Sequence, residues 1–452
     1  MKRALFKIFS IVILLSLILG NTASGAEKTI TLEVWGIPND PGKLKALEDF
    51  QKENPSIKLN IVLGAFGFQE RPEKLLTAIA SGNPPDVVLI DRMTVAEWAG
   101  RGALRPLDDV AEEYGIKASD YPLEVWRGSV FSGHLYATPS HFNITCSLFW
   151  NRRMYKEAGL NPNTPPRTWD QMLDYIKKLT KKDDRGNIIQ AGFGFGYYAL
   201  LYVLGWQMKS DWIADEKHAT INRPENIQAL EFIKKMYDAQ GGRELYDKFA
   251  SGVALPPNLD LFTFGKVAMI RGASYNHIYY TVWAPKLDYG EAPFPIPKGG
   301  KYANIVGGRG WTIPNGIKGE KLEAAKKLVA WMALKGGLSV WKGATHYPAR
   351  LDDLRKLQAG DPKLWEIPSI VPEGAAYKTI PSIVTTKLKV QLKEAIEYAK
   401  QRPVMPVSAY MYDQLTSAWE DVTYGRMSAK DALDRAQRDV QKALDEFWAR
   451  YK

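Results

Sequence analysis

Between Thr29 and Arg101, short β-branched runs alternate with runs of helical spacing, and the connections between them are a few residues long. Thr29 to Trp35 (TITLEVW) alternates and reads as a strand. The loop Gly36 to Gly42 follows, and Leu44 to Glu53 then repeats apolar residues at helical spacing before Asn54-Pro55 stops it. Ile57 to Leu63 is a second strand, Pro72 to Ser81 a helix closed by Gly82, and Asp86 to Ile90 (DVVLI) a continuous apolar run that suits a buried parallel strand. Val95 to Arg101 begins another helix. This order predicts a parallel α/β sheet.

Such a sheet constrains function as well as shape. Ligands of open α/β sheets bind outside the carboxyl ends of the strands. Trp35, Asp91 and Arg92 fall at those ends. Asp91 also suits a helix N-cap for the segment that follows. Arg92 has no comparably simple structural role.

Near residue 135 the pattern changes. Thr138, Pro139, Ser140 and Asn143 form a candidate crossover, after which Ile144 to Trp150 is strand-like. Asn151 to Ala158 is helical, and Thr168 is the expected N-cap of the next helix. Phe264 to Ile270 reads as a strand, Gly307 to Ile313 as a glycine turn into a strand, and Glu320 to Leu334 as an amphipathic helix. From Pro381 onward the pattern is almost wholly helical. No internal repeat is present.

The first 26 residues have a different character. Lys2, Arg3 and Lys7 precede the apolar stretch Ile8 to Leu19, and small residues run from Asn21 to Ala26. This is the layout of a secretory signal peptide, with cleavage expected after Gly25 or Ala26. The run is short for a membrane span. No cysteine stands at the cleavage point, so a soluble periplasmic protein is expected rather than a lipoprotein. Cys146 is the only cysteine, so no disulfide can form within one chain, and its apolar strand makes it a core residue. The remaining chain of about 426 residues is too long for one ordinary core and suits two lobes.

The formal charge of +10 includes three from the leader, leaving +7 spread along helical stretches beside acids. No basic arm appears, so nucleic acid is not an expected partner. The five histidines show no metal-ligand spacing, and neither a G-x-S-x-G elbow nor a P-loop is present. Gly192 to Gly196 and Gly307 to Gly310 lack the strand-turn-helix context of a phosphate cradle. Asp183 to Asn187 reads as a surface turn rather than a calcium loop. No cofactor or metal is expected. Fourteen Trp and 22 Tyr are more informative, because Trp35, Tyr197, Tyr198, Trp206, Tyr275 and Trp311 fall in predicted loops. Such aromatics suit flat, partly apolar ligands such as sugars.

Several segments together resemble the family 1 extracellular solute-binding proteins of ABC importers, the group that includes the maltodextrin-binding protein. They are Leu75 to Leu89 (LLTAIASGNPPDVVL), Gly102 to Asp108, Leu148 to Trp169 (LFWNRRMYKEAGLNPNTPPRTW), Phe264 to Met269, Tyr347 to Arg350, and Arg402-Pro403. Tyr197 to Asp215 and the segment from Pro362 to Pro381 match nothing in that pattern. The resemblance implies an α/β, two-lobe periplasmic binding protein fold with a hinge, an interlobe ligand cleft and a helix-rich C-terminus. Residues 27–141 plus 306–356 would form the N-terminal lobe, and 142–305 plus 357–452 the C-terminal lobe. By position, it assigns the cleft to Trp35, Asp91, Arg92, Asn143, Tyr197 or Tyr198, Tyr275, Asn276, Gly308, Arg309, Trp311 and Tyr410, with Asp91-Arg92 as a sugar-hydroxyl pair; Trp206 joins these expected ligand-binding residues as a loop aromatic, not by resemblance.

The expected function is capture of a carbohydrate, an oligosaccharide by preference, by a monomer that delivers it to an ABC transporter permease. The alternative is an anionic solute such as a phosphorylated polyol or a uronate, motivated by the basic chain and by Arg92 and Arg309. A secreted polysaccharide-acting enzyme and an adhesion role are the remaining readings. No catalytic constellation supports the former.

Overall fold

The computed structural model describes residues 28–64, 73–195, 199–256, 259–344, 346–365, 388–389, 391–393 and 397–451. The expected leader lies outside them, as do Tyr197 and Tyr198. Strands β1 (Ile30–Ile37), β2 (Ile57–Leu63) and β3 (Val87–Asp91) pair in parallel, β1 in the middle, as the alternation predicts. The first helix begins earlier than its apolar spacing suggests, at Pro41. The Asp40 side chain accepts from the Lys43 amide, and Pro41 needs no partner at the first helical position.

The chain then forms a hairpin, β4 (Val130–Phe131) with β5 (His134–Leu135), followed by β6 (Thr138–Pro139) and β7 (His141–Ile144). Next come β8 (Ser147–Asn151), β9 (Lys181–Lys182), β10 (Ile188–Gly194), β11 (Val267–Gly272) and β12 (Tyr289–Pro293). These five make the second sheet, ordered β12-β8-β11-β10-β9. Within it β10 and β11 are parallel, while β8 runs against both β11 and β12. The expected start at Phe264 is early by three residues, because Phe264 and Gly265 close a turn ahead of β11. Thr168 caps its helix as predicted, accepting from the Gln171 amide.

β13 (Asn304–Gly307) leads through Gly308 into β14 (Arg309–Thr312), which returns to the first sheet. That sheet is ordered β2-β1-β3-β14-β6, with β14 antiparallel to β3 and Arg309 opposite Asp91. Helix Gly319–Trp331 continues through a wider turn at Met332–Gly336 into Gly337–Ala344. β15 (Tyr347–Pro348) and β16 (Ala399–Lys400) complete a third, small sheet, β15-β7-β13-β16. This third sheet is built from the segments by which the chain passes between the other two.

Two large cores flank these connections. Leu32, Val34, Phe50, Trp311, Leu328 and Trp341 belong to one, while Met154, Phe193, Ile233, Met269, Tyr412 and Leu433 belong to the other. The helices Ser408–Thr423 and Ala429–Arg450 pack into the second. Among the described residues no helix is long and apolar enough to cross a membrane.

Candidate functional site

Charged side chains gather where the strand ends of the first sheet meet the third sheet. Asp40, after β1, places Oδ2 2.9 Å from Lys43 Nζ and 2.9 Å from His346 Nε2. The other nitrogen of His346 meets the side-chain amide of Asn143 on β7. The His141 ring packs 5.2 Å from that of His346, and the ring of Tyr275, in the turn that follows β11 of the second sheet, lies 5.8 Å from that of His346. The group therefore draws on both sheets.

A second set continues from it. Asp91 caps the turn that follows β3 and accepts from Arg402 Nη2 through both oxygens, at 2.8 and 3.0 Å. Arg309 acts electrostatically on Asp91, Lys43 and His346, so it links the two sets. Lys43, Arg309 and Arg402 thus surround two carboxylates, Asp40 and Asp91.

Nearly all of this is shielded from water. Burial works against the charge of Asp40, yet His346 and Lys43 hold its carboxyl well below the usual range. Burial also opposes ionisation of Asp91, which Arg402 and then Arg309 hold low. Burial, with the charge of Lys43 next to them, pushes both His141 and His346 down. Both imidazoles are therefore neutral near pH 7, and the cluster carries more positive than negative charge. An excess of positive charge of this kind favours an anion brought beside it, because charge pairs are strong where water is excluded. Among the described residues, no group of three His, Cys, Asp or Glu could hold a metal ion.

The sequence profile of the family described as bacterial extracellular solute-binding protein matches residues 38–338. The chain belongs to that family. As a solute-binding protein of the kind that serves ABC importers, it is similar over most of its length to characterised relatives. The sn-glycerol-3-phosphate-binding periplasmic protein UgpB of Escherichia coli K12 is 23% identical over 445 residues, covering 93% of this chain and 94% of the relative. The Shigella flexneri protein of the same name is 23% identical over 446 residues, with the same coverage. CpMnBP1 with mannobiose bound superposes with a TM-score of 0.72 at 22% identity, covering 91% of this chain and 99% of that one. Maltose-bound MalE3 of T. maritima gives 0.70 at 21%, covering 92% and 99%. UgpB of Mycobacterium tuberculosis, in complex with glycerophosphocholine, gives 0.70 at 18%, again covering 92% and 99%.

Within this solute-binding protein the expected cleft residues separate into groups. Asn143, Tyr275 and Arg309 lie in the charged cluster. Gly308 supplies its turn at φ +138°, where a Cβ would stand 2.7 Å from Arg92 Nη1. Asn276 braces the turn after β11, accepting from the Ala273 amide at 2.6 Å. Tyr410 lines a cavity of about 460 Å³ with Arg101, Phe447 and Arg450, which none of the charged cluster's residues line.

Four expectations change. Arg92 is wholly buried, and its guanidinium is occupied by backbone carbonyls, so it is not a group that faces solute. Trp311 is a buried residue of β14 whose Nε1 donates to Ser140 Oγ at 3.1 Å, because strand pairing carries it into the core. Trp206 is 3% exposed, inside the apolar helix Ala199–Gln207. Trp35 lies on β1 itself, half-buried, with Lys74 4.8 Å from its ring centre and its N–H held by Glu33. Tyr197 falls outside the described residues. Asp91 follows the N-cap reading.

Asp40, Lys43, His141, His346 and Arg402 were not singled out by their sequence context. Asp40-Pro41-Gly42-Lys43 carries a local signal, a capping acid before proline with a lysine three residues on. The two histidines carry none, since they are distant in sequence.

Proposed function

We propose that this binding protein captures a small hydroxylated anion, a polyol phosphate or its diester, and delivers it to an ABC importer permease. The observation that carries the reading is that three cationic side chains, Lys43, Arg309 and Arg402, gather around two carboxylates, Asp40 and Asp91, where the strand ends meet the third sheet. A net positive charge shielded from water favours an anion brought beside it, and a phosphate carries that charge. Guanidinium groups bind phosphate through paired hydrogen bonds. Asp40, Asn143 and His346 offer groups for the hydroxyls. The relatives named for sn-glycerol 3-phosphate support this choice.

The neutral oligosaccharide is the second reading, favoured by the mannobiose-bound and maltose-bound structures of the same fold. It is weakened by the burial of Trp206 and Trp311, which removes two of the rings expected to stack on sugars. Isothermal titration with sn-glycerol 3-phosphate, a glycerophosphodiester, mannobiose and maltotriose separates the two. Our reading expects heat from the phosphates and weaker binding at high salt. Binding of maltotriose alone, indifferent to salt, would overturn it.

We further read the chain as a monomer that binds without turnover, exported by a leader cut near Gly25 or Ala26 and left without a lipid anchor. We also read the lobes by the expected division, with one change. Leu364, Trp365, Leu388, Leu392 and Ala399 pack with the first core, which supports moving the last crossing from residue 357 to about residue 400. Mass measurement of the exported protein tests the cleavage, and sedimentation tests the monomer.

A further inference from the structure

Two adjacent residues at the end of β3 hold every segment of the third sheet that leads from one large sheet to the other. Arg92 Nη1 donates to the His141 carbonyl at the start of β7 (2.8 Å) and to the Arg309 carbonyl (3.2 Å). Its Nη2 donates to the Gly307 carbonyl at the end of β13 (3.0 Å), and its own amide donates to Gly308 O (3.1 Å). Asp91 takes the third crossing, through the paired contacts with Arg402 just beyond β16. Glu124 adds to that grip by accepting from the Gln401 amide at 2.9 Å. Arg92 has no exposed surface, so its charge is stabilised by these carbonyls and by Asp91, not by water.

Lobes that open and close about a hinge do so by dihedral changes in the connecting segments. A group that fixes where all three segments leave the first lobe fixes the axis of that motion. We propose that Asp91 and Arg92 are positioning residues of the hinge, which set the balance between open and closed lobes, rather than residues that touch solute. The proposal does not depend on which solute is bound.

A pair of spin labels tests it. Cys146 is buried, so labels directed to Glu112→Cys and Lys235→Cys, both exposed and one on each lobe, react alone. Pulsed electron resonance then reports the distance between lobes without any solute. The proposal expects Arg92→Gln and Asp91→Asn to shift or broaden that distribution. It also expects them to change the affinities for sn-glycerol 3-phosphate and for maltotriose by one common factor, on the order of tenfold, for whichever of them bind. Arg92→Lys, which keeps the charge but reaches fewer carbonyls, should give a smaller shift of the same sign. Distributions that superimpose on the wild type in a folded variant overturn the proposal. So does loss of affinity for one solute with distances unchanged, which is the mark of a direct contact. Unfolding of both arginine variants overturns it too, since a hinge role leaves each lobe its own core. If neither probe binds, the distance measurement still decides.

Discussion

The Asp40 carboxylate lies 2.9 Å from Nε2 of His346, across 306 residues of chain. The contact joins the loop after β1 to the segment that enters β15, and with Lys43 it makes one side of the candidate site. Its parts are buried together, so changes in charge here act on stability as well as on binding.

Acid should weaken the fold in two stages. His141 and His346 are held neutral by burial, below the ordinary value of 6.5. The unfolded chain takes up protons below that pH and the folded one does not, so stability falls as pH drops from about 6.5. The slope is up to about 1.4 kcal/mol per pH unit for each histidine. Asp40 adds a further loss below about pH 4, where its unfolded form is protonated. Urea titrations from pH 8 to 4 measure this, and His346→Gln should flatten the first stage.

Lys43 is 3% exposed and pairs with Asp40. Lys43→Met should destabilise the protein by about 3 kcal/mol, because it leaves a buried carboxylate short of a partner. Adding Asp40→Asn should restore part of that loss, and a double-mutant cycle by denaturation measures how much.

Trp311 belongs to the core of the first lobe. Trp311→Phe should lower stability by about 1–3 kcal/mol through lost packing and loss of the hydrogen bond that its N–H donates to Ser140 Oγ. The ratio of affinities for sn-glycerol 3-phosphate and maltotriose should stay as it is. A changed ratio by titration would return the ring to the binding surface.

Burial pushes the Cys146 thiol up to about 12. The thiolate is the reactive form. The native protein should therefore resist a disulfide reagent at pH 8, and react fully once guanidinium unfolds it. Absorbance of the released chromophore follows both states.

The local elements of both lobes were legible because each buries a local pattern, as in DVVLI of the first lobe and the capped helix that Thr168 opens in the second. The candidate site was legible only in part. Asn143, Tyr275 and Arg309 came from resemblance. Trp311 sits beside glycines and looks like a loop residue, but pairing with β3 and β6 makes it a strand residue with both faces covered. The partnership of Asp40, His141 and His346 depends on chain crossings that no spacing encodes. Arg92 was misread because a buried arginine has a structural use only when several carbonyls converge on it, and that convergence is tertiary.

The placement of β14 has a consequence for the order of assembly. The Thr312 hydroxyl donates to the carbonyl of Val88, 224 residues upstream, in the middle of the first sheet. The amino-terminal half of the chain therefore cannot complete its own sheet as it emerges. It must wait for β14 while the whole second sheet is made, and such non-local pairing is slow.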